Sequence, residues 1–259
     1  MSLVIDNLHF SYGSTEVLKG VSSYFENSTF YAIVGPNGCG KSTLLKCLYG
    51  YLSPGEGTIK INNHNIMKMS HRKRAMNISY VAQSNEISFD FAVKDIVAMG
   101  RNPYISRFAS LSDTDISHIH DALEKTSMTE LKDKSINELS GGEKQRAFIA
   151  RALAQDTEII LLDEPVSMLD INHQIEIMDT VKSLSLNHHR TIIAVLHDLN
   201  LASLYADCVI LMNKGSIHSI GSSSKVLTKE NINSVYKTEV DIYDTVEGMP
   251  RFIVPKARI

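Results

Sequence analysis

Hydrophobic and polar positions divide this chain into short apolar bursts and longer stretches with helical spacing. Leu3 to Tyr12 and Glu16 to Phe25 read as two β segments separated by a Gly13-Ser14 turn. Phe30-Tyr31-Ala32-Ile33-Val34 is an unbroken apolar run, and Leu44-Leu45-Lys46-Cys47-Leu48 follows it with helical character. Gly57 to Asn62 predicts a strand entering an Asn62-Asn63 turn. Ile78-Ser79-Tyr80-Val81-Ala82, Glu158 to Leu162 and Thr191 to Leu196 read as buried strands. From about Phe91 to Leu139 the pattern becomes helical and more polar: Val93, Ile96, Val97 and Gly100 share a face, and Ile116, Ile119 and Leu123 recur at helical spacing. Arg101-Asn102-Pro103-Tyr104 interrupts that stretch as a loop. Asp170 is placed to cap a helix carrying Ile171, Ile175, Met178, Val181 and Leu184 on one side, and Asn187 to Arg190 reads as a solvated loop. Cys208 to Ile220 predicts a hairpin turning at Asn213-Lys214-Gly215, followed by one helix from Lys225 to Tyr236 and short strands near Val240 and Phe252.

The junction after the third apolar run carries the strongest chemistry. Gly35-Pro36-Asn37-Gly38-Cys39-Gly40-Lys41-Ser42-Thr43 joins a strand to a helix with the spacing of a nucleotide phosphate loop. Phosphates need closely spaced backbone N–H donors, and Gly35, Gly38 and Gly40 leave room for the chain to wrap them. A helix beginning near Lys41 points its positive dipole end at the same anion. Lys41 can reach the β- and γ-phosphates, and the Ser42 hydroxyl can hold Mg²⁺. A nucleoside triphosphate is the expected ligand.

Composition narrows the surroundings of that loop. Hydrophobic residues make up 43% and charged residues 21% of 259, which suits an ordinary folded core, and a net charge of −3 gives no sign of a nucleic-acid surface. Cys39, Cys47 and Cys208 form no spaced framework, the first residues carry no leader pattern, and no apolar run approaches the ~20 residues of a span. These features predict a cytoplasmic protein able to lie against a membrane through a partner. His71-Arg72-Lys73-Arg74 reads as a solvated basic face, and His118 and His120, two apart, make a poor metal pair.

Further polar residues gain meaning from the loop. Tyr12 ends the first strand, where it can pack locally or stack on a base. Gln83 lies at the carboxyl end of a buried strand, where open α/β sheets place ligands. Leu139-Ser140-Gly141-Gly142-Glu143 opens a helix; Ser140 and Glu143 fit a capping box, but the paired glycines add bare amides suited to a second anion. That second site needs a phosphate from elsewhere, because the loop already holds its own. Asp163-Glu164-Pro165 ends a strand behind the loop, so Asp163 can complete a Mg²⁺ shell and Glu164 can polarise water. His197 ends the next strand and brings an imidazole to the same pocket.

Together, the phosphate loop, Gln83, the Leu139-to-Glu143 segment, Asp163-Glu164, Asp170 and His197 resemble, in order, the ATPase subunits of ATP-binding cassette (ABC) transporters. The resemblance implies an α/β fold: a phosphate-loop NTPase core with an N-terminal antiparallel β subdomain and an inserted helical subdomain. It implies one domain over 1–259, with 1–90 and 155–259 as the core and β subdomain and 91–154 as the helical part. ATP and Mg²⁺ are the implied cofactors. Tyr12 and residues Gly35, Pro36, Asn37, Gly38, Cys39, Gly40, Lys41, Ser42 and Thr43 would hold ATP; Ser42, Gln83 and Asp163 the metal; Glu164, His197 and Gln83 would serve hydrolysis. Ser140, Gly141, Gly142, Glu143 and Asp170 would meet ATP across a head-to-tail homodimer. Val166 and Met168 depart from the family pattern without removing a catalytic group.

A narrower resemblance, at Gly100 to Tyr104, Leu169 to Gln174 and Val226 to Asn231, is to importer cassettes for ferric siderophores, haem and cobalamin. It implies polytopic permease subunits as direct partners, an extracytoplasmic substrate-binding protein as an indirect one, no nucleic acid, and a peripheral place on the cytoplasmic face of the cell membrane. His173-Gln174 itself reads as a solvated helix face. A soluble cassette ATPase, for instance in iron–sulfur cluster assembly, remains the alternative.

Overall fold

The computed structural model describes residues 2–83, 89–106, 109–167, 169–244 and 251–257, so Met168 lies outside the described residues. The chain opens with the hairpin β1 (Leu3–Tyr12) and β2 (Thr15–Phe25), continues through β3 (Phe30–Val34) into α1 (Lys41–Tyr49), and returns with β4 (Glu56–Ile61) and β5 (His64–Asn65). These build an antiparallel sheet in the order β2-β1-β4-β5. Next come α2 (His71–Ala75), β6 (Ile78–Val81), α3 (Val93–Ala98), α4 (Asp113–Lys125) and α5 (Gly141–Ala154). The chain then alternates β7 (Ile159–Asp163), α6 (Ile171–His188), β8 (Thr191–Val195), α7 (Leu199–Tyr205), β9 (Cys208–Asn213) and β10 (Ser216–Gly221). It closes with α8 (Ser223–Val226), α9 (Lys229–Tyr236) and a hairpin of β11 (Val240–Tyr243) and β12 (Phe252–Pro255).

A second sheet, ordered β10-β9-β3-β8-β7-β6, is parallel except for the edge hairpin β9–β10. Its two faces explain the unbroken apolar runs. On β3, Phe30, Ala32 and Val34 join one core cluster while Tyr31 and Ile33 join the other, and β7 divides Ile160 and Leu162 from Ile159 and Leu161 in the same way. A strand covered on both faces has no polar side to display.

Helices α3, α4 and α5 pack on one another, and the expected interruption holds at Asn102–Tyr104, which turns between α3 and α4, but Arg101 is not a free loop residue. Met99–Arg101 forms a 3-10 turn, and the Arg101 side chain is buried. Its Nε donates to Asp115 Oδ1 at 2.9 Å, its Nη1 donates to the carbonyl of Ala154 at 2.8 Å, and its guanidinium lies 3.9 Å from the Tyr104 ring centre. The basic run is also more than a solvated face. Arg74 is buried against Gly50, and Arg72 donates to the carbonyls of Pro103 (2.6 Å) and Tyr104 (3.0 Å).

Two further expectations change. Helix α6 extends through His188, whose pKa burial pushes down, and Arg190 is tied to Asp156 at 2.5 Å and to the carbonyl of Thr157 at 2.9 Å. The single helix expected from Lys225 to Tyr236 is two: Thr228 accepts from the Asn231 amide as a new N-cap, and Leu227 leaves helical geometry.

Candidate nucleotide site

The loop between β3 and α1 takes its shape from three glycines with distinct reasons. At Gly35 (φ +153°) an added Cβ would stand 2.4 Å from the carbonyl oxygen of Met212, so β9 leaves no room for a side chain. Gly40 (φ +103°) is the N-cap of α1 and lies against Leu18 and Val17. Gly38 (φ +75°) meets nothing within 4 Å and requires glycine for its backbone angle alone. The Lys41 ammonium is buried and donates to the carbonyls of Gly35 at 2.8 Å and Pro36 at 3.0 Å, which pulls the loop into a ring around it.

Tyr12, Val17, Asn37, Gly38, Gly40, Lys41, Ser42, Thr43, Gln83, Glu164 and His197 line a cleft of 610 Å³ over this loop. Tyr12 is half exposed there and meets Phe10 edge-on at 4.8 Å, so its ring can both pack and stack. Strand order brings the polar ends together, because β3, β8, β7 and β6 are adjacent and parallel and each ends at this rim. The Ser42 hydroxyl donates to Asp163 Oδ1 at 2.9 Å, and the Tyr80 hydroxyl donates to Oδ2 at 3.0 Å. Burial raises the Asp163 pKa, while those two hydrogen bonds oppose the shift. Paired hard oxygens of Ser42 and Asp163 suit a magnesium ion. Tyr80 carries no role in the sequence reading; a phenol in a buried strand three residues before Gln83 was the available signal.

Glu164 sits at the polar corner of the cleft, between Gln83 and His197. It has φ +52°, its carboxylate is largely buried, and its oxygens meet Gln83 Nε2 and His197 Nε2, each at 2.5 Å. A non-glycine residue held in this backbone region at a cleft is the kind of strain that functional sites keep. The three residues come from the ends of three different strands.

The other predicted residues are elsewhere. Ser140 caps α5 as a full capping box: its hydroxyl accepts from the Glu143 amide at 3.3 Å, and its own amide donates to Glu143 Oε2 at 2.8 Å. The Ser140 amide, then its hydroxyl, holds the Glu143 carboxyl below its usual range. Ser140, Gly141, Gly142, Glu143 and Asp170 do not line the cleft of their own chain. Cys39, in the loop between β3 and α1, is buried, and desolvation raises its pKa although Lys41 opposes this.

The ABC transporter family model matches residues 18–167. The chain belongs to this family. As an ABC ATPase domain it binds ATP. The ferric enterobactin transport ATP-binding protein FepC of Escherichia coli is 37% identical over 254 residues, covering 98% of this chain and 93% of that protein. The cobalamin import ATP-binding protein BtuD of Halobacterium salinarum is 35% identical over 242 residues; the match covers 93% of this chain but spans only 60% of that protein. A solved ABC transporter described as metal-chelate type, in an inward-facing conformation, superposes with a TM-score of 0.87 at 29% identity, covering 99% of this chain and 98% of that one. Among the described residues no helix is long and apolar enough to cross a membrane.

Proposed function

We propose that this chain is the ATP-hydrolysing motor of a bacterial importer for a ferric siderophore, attached to the cytoplasmic face of the membrane through permease subunits. The observation that carries the hydrolytic part is the convergence of Gln83, Glu164 and His197 on the rim of the phosphate-loop cleft. The cargo rests on the likeness to the ferric enterobactin protein over nearly the full length of both chains. The cobalamin relative supports cobalamin as the second reading.

In this reading the loop amides and Lys41 hold the phosphates, and Tyr12 stacks on the base. Ser42 and Asp163, with Gln83, would hold Mg²⁺, which would supply neutralisation of phosphate charge. Both Glu164 oxygens are engaged by Gln83 and His197. Gln83 must therefore swing away to free one oxygen to accept a proton from the attacking water. His197, about half exposed, then donates to the γ-phosphate. Ser140 and Gly142 lie outside their own cleft, so we assign them, with Asp170, to the ATP of a second copy in a head-to-tail homodimer. Closing that sandwich moves the permease, and hydrolysis resets it.

The test is Glu164→Gln. It should retain Mg-ATP binding, slow turnover by about 10²–10⁴-fold, and elute as a dimer with Mg-ATP on sizing. Cells carrying it should bind labelled ferric chelate outside yet accumulate little. Wild-type turnover would refute the assignment of the base; normal uptake of every ferric chelate alongside failed cobalamin uptake would move the cargo to the second reading.

A further inference from the structure

His173 and Gln174, which the sequence pattern reads as an exposed helix face, join with Asn172 in tying the start of α6 to the start of α5. An added Cβ at Gly142 would stand 2.8 Å from His173 Cδ2 and 2.9 Å from Cγ, so the imidazole lies directly on the backbone of the second glycine of the Leu139-to-Glu143 segment. His173 Nδ1 meets Asp170 Oδ2 at 2.8 Å, and the His173 amide donates to Asp170 Oδ1 at 3.0 Å. One residue therefore occupies both oxygens of Asp170 and covers Gly142. Its neighbours brace the same junction. Asn172 donates to Glu176 Oε1 at 3.0 Å, whose other oxygen takes Arg146 Nη1 of α5 at 2.6 Å. Gln174 donates to the carbonyl of Leu169 at 3.0 Å, and Leu169 in turn approaches Gly141.

The consequence is geometric. Glycine amides at a helix N-terminus bind an anion only where the backbone is held at the right place, and glycine gives the backbone the greatest freedom to stray. The capping box fixes Ser140 and Glu143 to each other but fixes nothing in α5 relative to Asp170. The imidazole does that, by hydrogen bond on one side and ring contact on the other.

We infer that His173 is a positioning residue that sets the Gly141-Gly142 amides in register with Asp170 for the ATP bound by the opposite chain. The inference rests on the split-site reading above. It makes no contact with nucleotide in its own cleft, so its removal acts on turnover and not on nucleotide capture.

The experiment uses the full chain and Mg-ATP, with His173→Ala, His173→Asn and Ser140→Arg measured side by side. His173→Ala should lower kcat by about 10-fold or more while the KM for ATP stays within about twofold. His173→Asn, whose amide can still donate to Asp170, should recover most of that loss, which a loss of general stability would not predict. If His173→Ala keeps kcat within about twofold of wild type while Ser140→Arg is inactive, the assignment of His173 is wrong and the split site stands. If KM rises in step with the fall in kcat, or His173→Asn is as slow as His173→Ala, the positioning role is equally refuted. If Ser140→Arg itself turns over at the wild-type rate, the split-site reading fails instead.

Discussion

Replacing Arg101 by alanine should destabilise the chain far more than an arginine between two helical stretches would suggest. Arg101 is only 4% exposed. It joins Asp115 at the start of α4 to the last carbonyl of α5, and it covers the Tyr104 ring. Removing one partner of a buried pair typically costs ~3–5 kcal/mol, because the other charge stays behind. Here Asp115 keeps its bonds from the Ser112 hydroxyl (2.6 Å) and amide (3.0 Å), so its charge is not abandoned. The lower end, about 3 kcal/mol, is therefore expected. For a chain of this size that corresponds to a melting temperature lower by roughly 6–12 °C.

The pH dependence has a definite sign. The Ser112 hydroxyl, then Arg101, holds the Asp115 carboxyl down at about 2. A depressed folded-state pKa contributes stability that is fully present above the ordinary carboxylate range and is lost as pH falls towards 2. The gap between wild type and Arg101→Ala should thus be full at pH 7 and shrink below about pH 4. Thermal unfolding followed by circular dichroism, on Arg101→Ala, Asp115→Asn and the double variant, measures both the loss and the coupling. A melting temperature for Arg101→Ala within about 2 °C of wild type, or simple additivity in the double variant, would refute the buried-pair argument.

Three shorter predictions concern the cleft. Cys39, buried with a raised pKa, should react with iodoacetamide at pH 7 much more slowly than a free thiol; rapid labelling of the native chain would show the thiol to be exposed. Gly35→Ala should abolish binding of a fluorescent ATP analogue, because its Cβ would stand 2.4 Å from the Met212 carbonyl; unchanged affinity would mean that β9 gives way. Tyr80→Phe removes one of two hydroxyls on Asp163 and should raise the Mg²⁺ concentration for half-maximal turnover several-fold; an unchanged Mg²⁺ requirement would count against Asp163 as a ligand.

The elements around the candidate nucleotide cleft were legible in the sequence where their constraints are local. The positive backbone angles of Gly35, Gly38 and Gly40 lie within one turn, although β9 also closes on Gly35 and β2 on Gly40; the apolar runs of β3, β7 and β8 follow from burial on two faces, and the Ser140–Glu143 capping box from a three-residue span. Periodicity could not give what depends on distant partners. Arg101 read as a loop residue because Asp115 and Ala154 reach it only after α4 and α5 have packed. Tyr80 read as strand core because Asp163 is brought beside it by β6–β7 pairing, and His173 read as solvated because Gly142 lies on another helix. Cys39 follows the same logic: a place beside a helix N-terminus favours a lowered thiol pKa, whereas the packing of the loop buries the sulfur, and desolvation outweighs Lys41 and the backbone hydrogen bonds. Backbone angle and turn-to-turn spacing are written along the chain, but the cost of burying a charge and the identity of its partner exist only once the elements have met.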